Sequence, residues 1–428
     1  MFGLRTLKAR RLSREGRHTA ALAACGMKDG YVLSRAGMHL TALQYSSVSS
    51  FEHTLALACV GKLHEALEHA TRFIGNPRAA PLLGFLAVRA PNEVMGMVKN
   101  RAGFHNIYAY CAYTTTRLRN LNIGQDKLSS LHELTLVILA GDLDRAQDLF
   151  DDFFRAACLA PPHSVWSENG MVFESLSGSK SPTKVNTGPR ISVVMTAYNE
   201  EKNIAIAVES IRAQSWCSLE LIIVNDASTD GTKRVIEEYA AKDERIKIIN
   251  LERNMGLWAA KNVGLSQCTG DFITMHDADD WSHPDKLLLQ VGPLVKDLRL
   301  VATSSYFFRI NDITGLPVTL NACNYQRWNP SSFMFRANVL QRCGVFVDKL
   351  LGSDCEFIAR IENTYGVNSH RRIRLPLAIG LQRNHSLSAR FPIGGQNSLI
   401  RLKHWESWRR KHVALASIEH PTDLADRL

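Results

Sequence analysis

"ITMHDADDWSHPDK", residues 273–286, is the stretch that decides the fold of the second half of this chain. An apolar run ends in it, and four acidic residues then follow within nine positions: Asp277, Asp279, Asp280 and Asp285. Crowded carboxylates repel one another or take up protons unless a cation offsets their charge. A solvated loop is the ordinary explanation of such a cluster, and a divalent cation site is the alternative.

The segments around this stretch alternate between strand and helix patterns. The β-rich runs "ISVVMTAYNE" (191–200) and "LELIIVNDASTDGT" (219–232) both end in polar residues, and helical periodicity follows each. Such alternation predicts βαβ units and a mainly parallel sheet. A sheet of this kind binds ligands outside the carboxyl ends of its strands. Because Asn199, Asp226 and the cluster at 277–280 all lie there, we expect them to meet in one site.

The kind of ligand follows from what these strand ends contain and lack. Neither G-x-G-x-x-G nor G-x-x-x-x-G-K-[ST] occurs, so the usual backbone cradles for a dinucleotide or triphosphate are absent. Mg²⁺ and Mn²⁺ take oxygen ligands and neutralise phosphate charge. The D-x-D pair of Asp277 and Asp279 at a strand end therefore predicts a nucleotide held through a divalent metal.

The sequence has a different character before about residue 180. Ala and Leu recur at helical spacing in units that start at or beside a glycine, at 15–24, 60–73 and 140–154. These units loosely resemble tetratricopeptide-like helical hairpins, which can bind a protein partner. We expect an all-α domain over 1–175, a Gly-, Ser- and Pro-containing linker over 176–190, an α/β domain over 191–390 and a basic amphipathic helix and tail over 391–428.

Composition excludes several classes of protein. With 45% hydrophobic and 21% charged residues, the chain is globular rather than disordered or fibrous. Neither a secretory signal nor an apolar stretch of the roughly 18 residues that a membrane span needs is visible, which predicts a cytoplasmic protein. Nine dispersed cysteines without a C-x-x-C pair predict reduced thiols rather than disulfides or a zinc site.

The net charge of +10 is concentrated at residues 1–50 and 390–412. Basic ends suit an anionic membrane, an acidic polymer or nucleic acid, but no nucleic-acid recognition fold is visible. In the C-terminal segment, apolar residues recur every three to four positions beside arginines. The stripe comprises Leu399, Leu402, Trp405 and Trp408. Peripheral docking on a membrane and packing on the rest of the protein both explain it.

Seven stretches, in order, resemble the family 2 glycosyltransferases with a GT-A fold, over about residues 190–390. They are "SVVMTAYNEEKNIAIAVESIRAQSW", "LELIIVNDASTDGT", "RNMGLWAAKNVGL", "GDFITMHDADDWSHPDKL", "SSFMFRANVL", "GVFVDKLLGSDCEFIARI" and "RNHSLS". The resemblance implies a nucleotide-diphospho-sugar transferase domain, whose sheet is flanked by helices, after an all-α helical-hairpin domain.

The resemblance also assigns roles to individual residues. Tyr198 and Asp226 would hold the nucleotide base and Asp277 the ribose side. Asp279 and His385 would hold the metal, Mn²⁺ or Mg²⁺. Asp354 would be the catalytic base, with Glu356 as the competing carboxylate. The donor-binding set implied is Thr196, Tyr198, Asn199, Glu200, Asp226, Lys261, Asp277 and Ala278, in which Lys261 replaces a frequent arginine and would meet phosphate as a point charge.

Three positions depart from the family pattern. Thr196 stands where proline is common, Asn225 where an acid is common, and Ser353 where glutamate precedes the base. His276 and His283 are interpreted as packed residues, one on the strand and one before the next helix.

The function implied is an inverting, metal-dependent transfer of a sugar from a nucleotide-sugar, with a UDP-sugar favoured. The acceptor would be a hydroxyl of a glycan or lipid-linked molecule in bacterial surface polysaccharide synthesis, such as capsule or lipopolysaccharide. The alternative is a nucleotide-binding scaffold that has lost catalysis and binds partners through its helical half.

Overall fold

A computed structural model describes residues 2–76, 79–99, 101, 104–116, 130–167, 170–178, 184–319, 322, 324–348, 351–384, 386–391, 393 and 398–418. The α-helices are α1 Phe2–Arg14, α2 His18–Ala24, α3 Gly30–Arg35, α4 His39–Tyr45, α5 Phe51–Val60, α6 Leu63–Ala70, α7 Ala80–Ala87, α8 Pro91–Val98, α9 His105–Thr116, α10 Ser130–Ala140, α11 Leu143–Ala156, α12 Ile204–Arg212, α13 Thr232–Ala240, α14 Leu257–Ser266, α15 Lys286–Lys296, α16 Val339–Cys343, α17 Ser353–Tyr365, α18 Leu387–Arg390 and α19 Ser398–Ile418. The strands are β1 His163–Ser167, β2 Gly170–Ser177, β3 Ile191–Ala197, β4 Leu219–Asn225, β5 Ile246–Asn250, β6 Phe272–Asp277, β7 Asp280–Ser282, β8 Ala302–Asn311, β9 Pro317–Val318, β10 Arg327–Arg336 and β11 His370–Gln382.

One of two units is helical, and it contains the described residues of Met1–Ala140, Thr319–Tyr325 and Arg383–Arg427. Its short helices begin and end at recognisable caps: the Asp29 carboxylate accepts a hydrogen bond from Val32 N–H at the start of α3, and Gly61 ends α5 at φ +92°. Small residues such as Ala66 are fully buried, which lets neighbouring helices approach closely. The prediction of a helical region at the start of the chain is confirmed for its described residues.

Helix α19 belongs to this helical unit, because its apolar stripe packs on α2, α4 and α5. Leu402 and Trp408 are buried, and Trp405 Nε1 donates to the Ala36 carbonyl over 3.0 Å. The Glu406 carboxylate accepts from both N–H and Oγ of Thr41, at 3.1 and 2.6 Å. Of the two explanations of the stripe, packing is therefore the one that these contacts support.

Strands β1 and β2 pair antiparallel, although the sequence analysis placed most of their residues in the all-α domain. Burial alternates along β1 and β2, as period-two side-chain placement requires. The preceding helix, α11, also belongs to the sheet unit, because Phe150 and Phe154 pack against Phe308 of β8 at ring separations of 6.4 Å. The first segment of the helical unit thus ends at Ala140, and α11, β1 and β2 belong to the sheet unit.

The second unit is built on one sheet with the order β5-β4-β3-β6-β10-β8-β11-β7, and β9 pairs with β8. The strands β5, β4, β3 and β6 are parallel, β10 runs antiparallel to both neighbours, and β11 is parallel to β8. Helices α12, α13 and α15 cover one face, and α14 and α17 cover the other. Every residue of β3 and β4 is buried for that reason. The predicted α/β fold, a sheet flanked by helices, is confirmed, and the second half of the sheet is mixed rather than parallel.

The carboxyl ends of β3, β4 and β6 lie side by side. Thr196 of β3 pairs with Val224 of β4 and with Asp277 of β6. The residues that follow these strands therefore start from one edge of the sheet, as the sequence predicted. Within the described residues, no helix has the length and apolar character required to cross a membrane.

Candidate active site

Asp226 fixes the loop that leads into α14. Its buried carboxylate accepts hydrogen bonds from Met255 N–H over 2.7 Å and from Gly256 N–H over 2.9 Å. Gly256 has φ +86°, a conformation that few other residues adopt, and it directly precedes α14. Asp226 thereby ties the end of β4 to the start of the helix that carries Lys261.

Hydrogen bonds join the loops that follow β3 and β4. Asn199, in the left-handed region at φ +55°, accepts from Thr229 N–H over 2.8 Å and donates its own N–H to Ser228 Oγ. Glu200 donates its N–H to Thr232 Oγ1, and its carboxylate accepts from Asn203 over 3.0 Å. Both predicted site residues therefore hold the shape of the loops.

Lys261 and Asp277 form an ion pair at the centre of the site. The Lys261 ammonium is 1% exposed and lies 2.9 Å from Asp277 Oδ1. Burial raises the pKa of Asp277, but the charge and hydrogen bond of Lys261 and a hydrogen bond from Ser331 outweigh it and hold this pKa at about 2. Lys261 was expected to meet phosphate; in the structure its buried ammonium pairs with the Asp277 carboxylate and keeps it ionised and in place.

Asp280 has the opposite environment. Burial and the charges of Asp279 and Asp277 raise its pKa well above the usual range, against the charges of Arg309 and Lys261. Its carboxylate occupies the space that a side chain at Gly380 would need, since a Cβ there would lie 2.6 Å from Asp280 Oδ1. Gly380 is thus required for the close approach of β11 to Asp280.

Asp354 lies in the first turn of α17 and accepts a hydrogen bond from Cys355 N–H over 2.7 Å. Burial raises the pKa of this carboxyl, Cys355 and the Lys261 charge lower it, and the Asp277 charge raises it further; the net shift is upward. Asp354 is therefore within electrostatic range of the Lys261–Asp277 pair. A raised pKa is the property that a general base needs.

Glu356, the competing carboxylate, forms an ion pair with Arg360. Its two oxygens accept from Arg360 Nε over 3.1 Å and Arg360 Nη2 over 2.6 Å, and the pair is buried. Arg360 also donates to the carbonyls of Cys343 and Val345. Glu356 is part of a structural network that anchors α17.

The two histidines near the acidic cluster are packed residues. His276 Nδ1 donates to the Asp277 carbonyl over 2.8 Å, and its Nε2 lies 2.8 Å from Ser282 Oγ. Burial lowers the pKa of His276 to about 3. His283 contacts the Ala160 carbonyl over 2.9 Å and stacks on Phe154. These contacts occupy both rings, in keeping with the interpretation from sequence.

Residues 192–348 match the family model described as Glycosyl transferase family 2. The chain carries a family 2 glycosyltransferase domain. It is 47% identical over 113 residues to EpsE of Bacillus subtilis (strain 168), a glycosyltransferase by name, covering 26% of this chain and 41% of EpsE. It is 37% identical over 112 residues to chondroitin synthase of Escherichia coli, covering 26% of this chain and 16% of that enzyme. Each match thus spans less than half of the relative.

A solved structure of S. aureus TarS 1-349 in complex with UDP-GlcNAc is 18% identical and superposes with a TM-score of 0.40, covering 54% of this chain and 71% of that TarS 1-349 chain. At this level of similarity, the TarS structure does not indicate a role for any residue of the family 2 domain.

The remaining predicted residues of the family 2 domain have varied surroundings. Tyr198 is 47% exposed just beyond β3, whereas the Ala278 methyl group packs in the apolar core. The hydroxyl of Thr196 is buried without a hydrogen-bond partner among the described residues. His385 lies outside the described residues.

The metal-ligating side chains of the family 2 domain fit a divalent cation that takes most of its ligands from phosphate and water. No three His, Cys, Asp or Glu side chains come together as a metal cage within the described residues. Mg²⁺ and similar ions often use only one or two protein carboxylates and take their other oxygens from phosphate and water. Since Asp277 is paired with Lys261 and Asp280 is buried, Asp279 is the carboxylate of this cluster that suits a shared metal.

Sequence reasoning missed several charged residues around the acidic cluster. Lys286 is 1% exposed, its ammonium has no hydrogen-bond partner among the described residues, and burial lowers its pKa to about 8. Arg309 and Arg327 both lie over the ring of Phe307, at 5.2 and 5.0 Å from its centroid. Lys286 is the last residue of the stretch 273–286, so its spacing from Asp280 was the sequence feature that could have identified it.

Proposed function

We propose that this protein is an inverting, metal-dependent glycosyltransferase that moves a sugar from a nucleotide-sugar to a hydroxyl of a glycan acceptor. The observation that carries the proposal is the arrangement of Asp354, Lys261 and Asp277. A carboxyl with a raised pKa stands near an ion pair that fixes a second, fully ionised carboxylate. In many active sites the surroundings of two carboxyl groups drive their pKa values apart. One of the two groups then acts as a base, and the other binds the substrate.

Asp354 would act as the general base. It would accept the proton of the acceptor hydroxyl while that oxygen attacks the anomeric carbon of the donor sugar. The bond from this carbon to the diphosphate oxygen breaks in the same displacement, so the nucleoside diphosphate leaves and the configuration inverts. General base catalysis of this kind contributes about 10²- to 10⁴-fold in rate.

Asp277 would meet the ribose side of the donor, because Lys261 and Ser331 hold its carboxylate ionised at the edge of the sheet. Tyr198, half exposed next to that edge, would contact the base, and Asp226 would act by holding the loop at 255–256. Asp279, with His385, would hold Mn²⁺ or Mg²⁺. When bound, the cation would offset the negative charge of the leaving diphosphate.

We favour a UDP-sugar as donor and a bacterial surface polysaccharide, such as capsule or lipopolysaccharide, as the product. The name of chondroitin synthase, a relative over 112 residues, supports a polysaccharide. The helical unit would contact a protein partner, as its resemblance to tetratricopeptide-like hairpins implies. The reaction would take place in the cytoplasm, where reduced cysteines persist.

The test is a panel of UDP-, GDP- and CMP-sugars, incubated with the full chain with and without Mn²⁺. Nucleotide release that requires the metal, and that Asp354→Asn abolishes, is the expected result. NMR of the product should show an anomeric configuration opposite to that of the donor. Retention of configuration would reject the single displacement, and metal-independent release would reject the role of Asp279.

A further inference from the structure

A basic cavity of about 690 Å³ opens in the sheet unit, where β8 and β11 begin. Four arginines line it: Arg299, Arg371, Arg372 and Arg374. We call it the arginine cavity. It lies at the opposite end of β11 from the active site, because Gly380 is the residue that pairs with Asp280. Arg371 lies nine positions before Gly380, which is roughly 30 Å along an extended strand.

Acidic side chains near the arginine cavity neutralise only part of this charge. Asp297 forms an ion pair with Arg299 over 3.0 Å, and Glu362 lies 3.9 Å from Arg372, which also stacks over the ring of Trp328. Arg371 and Arg374 are exposed; the charge of Arg371 acts on nearby Asp297, but neither arginine forms an ion pair among the described residues. Two guanidinium groups are therefore available to an anion from outside the chain.

An exposed apolar patch adjoins the arginine cavity. Leu298, between the cavity residues Asp297 and Arg299, is 81% exposed, and Val295 at the end of α15 is 48% exposed. The exposed Lys296 lies between these two apolar residues. A soluble anion binds through the positive charges alone. Binding to a lipid surface is strengthened by an apolar side chain beside those charges.

Protection of a strand edge is the simplest alternative explanation. The first half of β11 pairs with β8 on one side only among the described residues, and charged side chains on such an edge prevent pairing with other chains. That explanation accounts for the arginines. It does not extend to Leu298, which lies between α15 and β8 and is not part of the β11 edge.

We propose that the arginine cavity and Leu298 form a docking surface for an anionic phospholipid membrane. Arg371 and Arg374 bind lipid phosphates, and Leu298 inserts between the headgroups. The sheet unit then rests on the membrane by the end opposite to the donor site. We place membrane contact on this surface rather than on α19, because Leu402 and Trp408 of the α19 stripe are buried within the helical unit and Trp405 is hydrogen-bonded there. The proposal concerns binding and does not depend on the glycosyl transfer proposed above.

Co-sedimentation of the full chain with vesicles tests it. We expect binding to phosphatidylglycerol/phosphatidylcholine vesicles that weakens with added salt, and no binding to pure phosphatidylcholine vesicles. Arg371→Gln/Arg374→Gln should lower the partition coefficient about 30-fold. The matched control, Arg234→Gln/Lys242→Gln on the exposed side of the α13 region, removes the same charge and should retain binding. Thermal melts of each variant establish that it is folded.

The apolar arm uses Leu298→Ser, with Ile313→Ser as control, because Ile313 is also 69% exposed but lies elsewhere. Leu298→Ser should weaken binding several-fold even at high salt, and Ile313→Ser should not. Wild-type binding by Arg371→Gln/Arg374→Gln, equal losses in both charge variants, or no binding to anionic vesicles would overturn the proposal. If Leu298→Ser has no effect and soluble polyphosphate competes fully with the vesicles, the cavity binds a soluble polyanion and the membrane is excluded.

Discussion

Exchanging Asp354 and Glu356 for their amides separates catalysis from structure on a single helix turn. The two carboxylates lie two residues apart at the start of α17, and each amide keeps the size of the side chain it replaces. We expect Asp354→Asn to lower kcat by about 10²- to 10⁴-fold, equivalent to roughly 3–5 kcal/mol in the barrier. UDP binding should be unchanged, since Asp354 is assigned to the acceptor hydroxyl.

The two substitutions should affect folding stability in the opposite order: Glu356→Gln should lower it, and Asp354→Asn should not. Folding raises the pKa of Asp354, so the folded state disfavours its ionised form, and a neutral amide at pH 7 should leave the melting temperature equal or higher. Glu356→Gln removes the charge partner of buried Arg360 and should cost about 3 kcal/mol. A loss of that size corresponds to a fall of roughly 6–12 °C in Tm.

The assay is nucleotide release with the donor found in the panel, measured from pH 4 upward beside a thermal melt. The wild type should lose kcat/KM as pH falls through the pKa of Asp354, which lies above its usual value, because protonation removes the base. Glu356→Gln should keep this acid limb. An inactive but stable Glu356→Gln together with an active Asp354→Asn would refute the assignment of the base.

Three further predictions concern the metal, the helical unit and the sheet. Asp279→Ala should lose Mn²⁺-dependent UDP binding in calorimetric titration while its melt is unchanged; unaltered affinity removes Asp279 from the metal site. Truncation after residue 396 deletes α19 and should abolish cooperative melting of the helical unit; an unchanged melt contradicts the packing role of α19. Burial raises the pKa of Glu220, but hydrogen bonds from Lys247 and other neighbours hold it at about 2, so about 3 kcal/mol of stability present above pH 4.5 should disappear as pH falls towards 2. Glu220→Gln should flatten that part of the profile of unfolding free energy against pH.

Local sequence patterns were sufficient to predict the sheet edge that carries the site. Parallel strands covered on both faces leave nearly continuous apolar runs, and the first polar residue after each run marks its carboxyl end. Thr196 and Asp277 consequently pair in the structure, next to the loop that Asp226 holds. Nothing in this reasoning required knowledge of distant contacts.

The role of Lys261 could not be predicted in the same way. A lysine on an amphipathic helix can point to solvent, to a ligand or to a carboxylate, and the choice depends on how the helix is rotated against the sheet. Here Gly264 allows α14 to approach β3 closely, because a Cβ at that position would lie 2.4 Å from Val194 Cγ1. The close approach of α14 to β3 directs Lys261 to Asp277.

The packing partner of a predicted helix is undetermined by its sequence for a similar reason. The pattern of α11 is that of an amphipathic helix and does not state which apolar surface it covers. Phe150 and Phe154 pack against Phe308, which lies more than 150 positions further along the chain. Helix α19 likewise packs on helices near the opposite end of the sequence. Helical periodicity predicts that a face is buried, but the partner is decided by the fold as a whole.

The crowding of acids at 277–280 is explained by unequal environments. Lys261 holds Asp277 ionised, while burial and its neighbours raise the pKa of Asp280. The three carboxylates therefore do not form a preassembled cage, and a cation at Asp279 must take most of its oxygen ligands from elsewhere. The phosphates of the donor are the natural source, because they need the same neutralisation. Metal and nucleotide should then bind as a pair, so the titration of Asp279→Ala is informative only with UDP and Mn²⁺ present together.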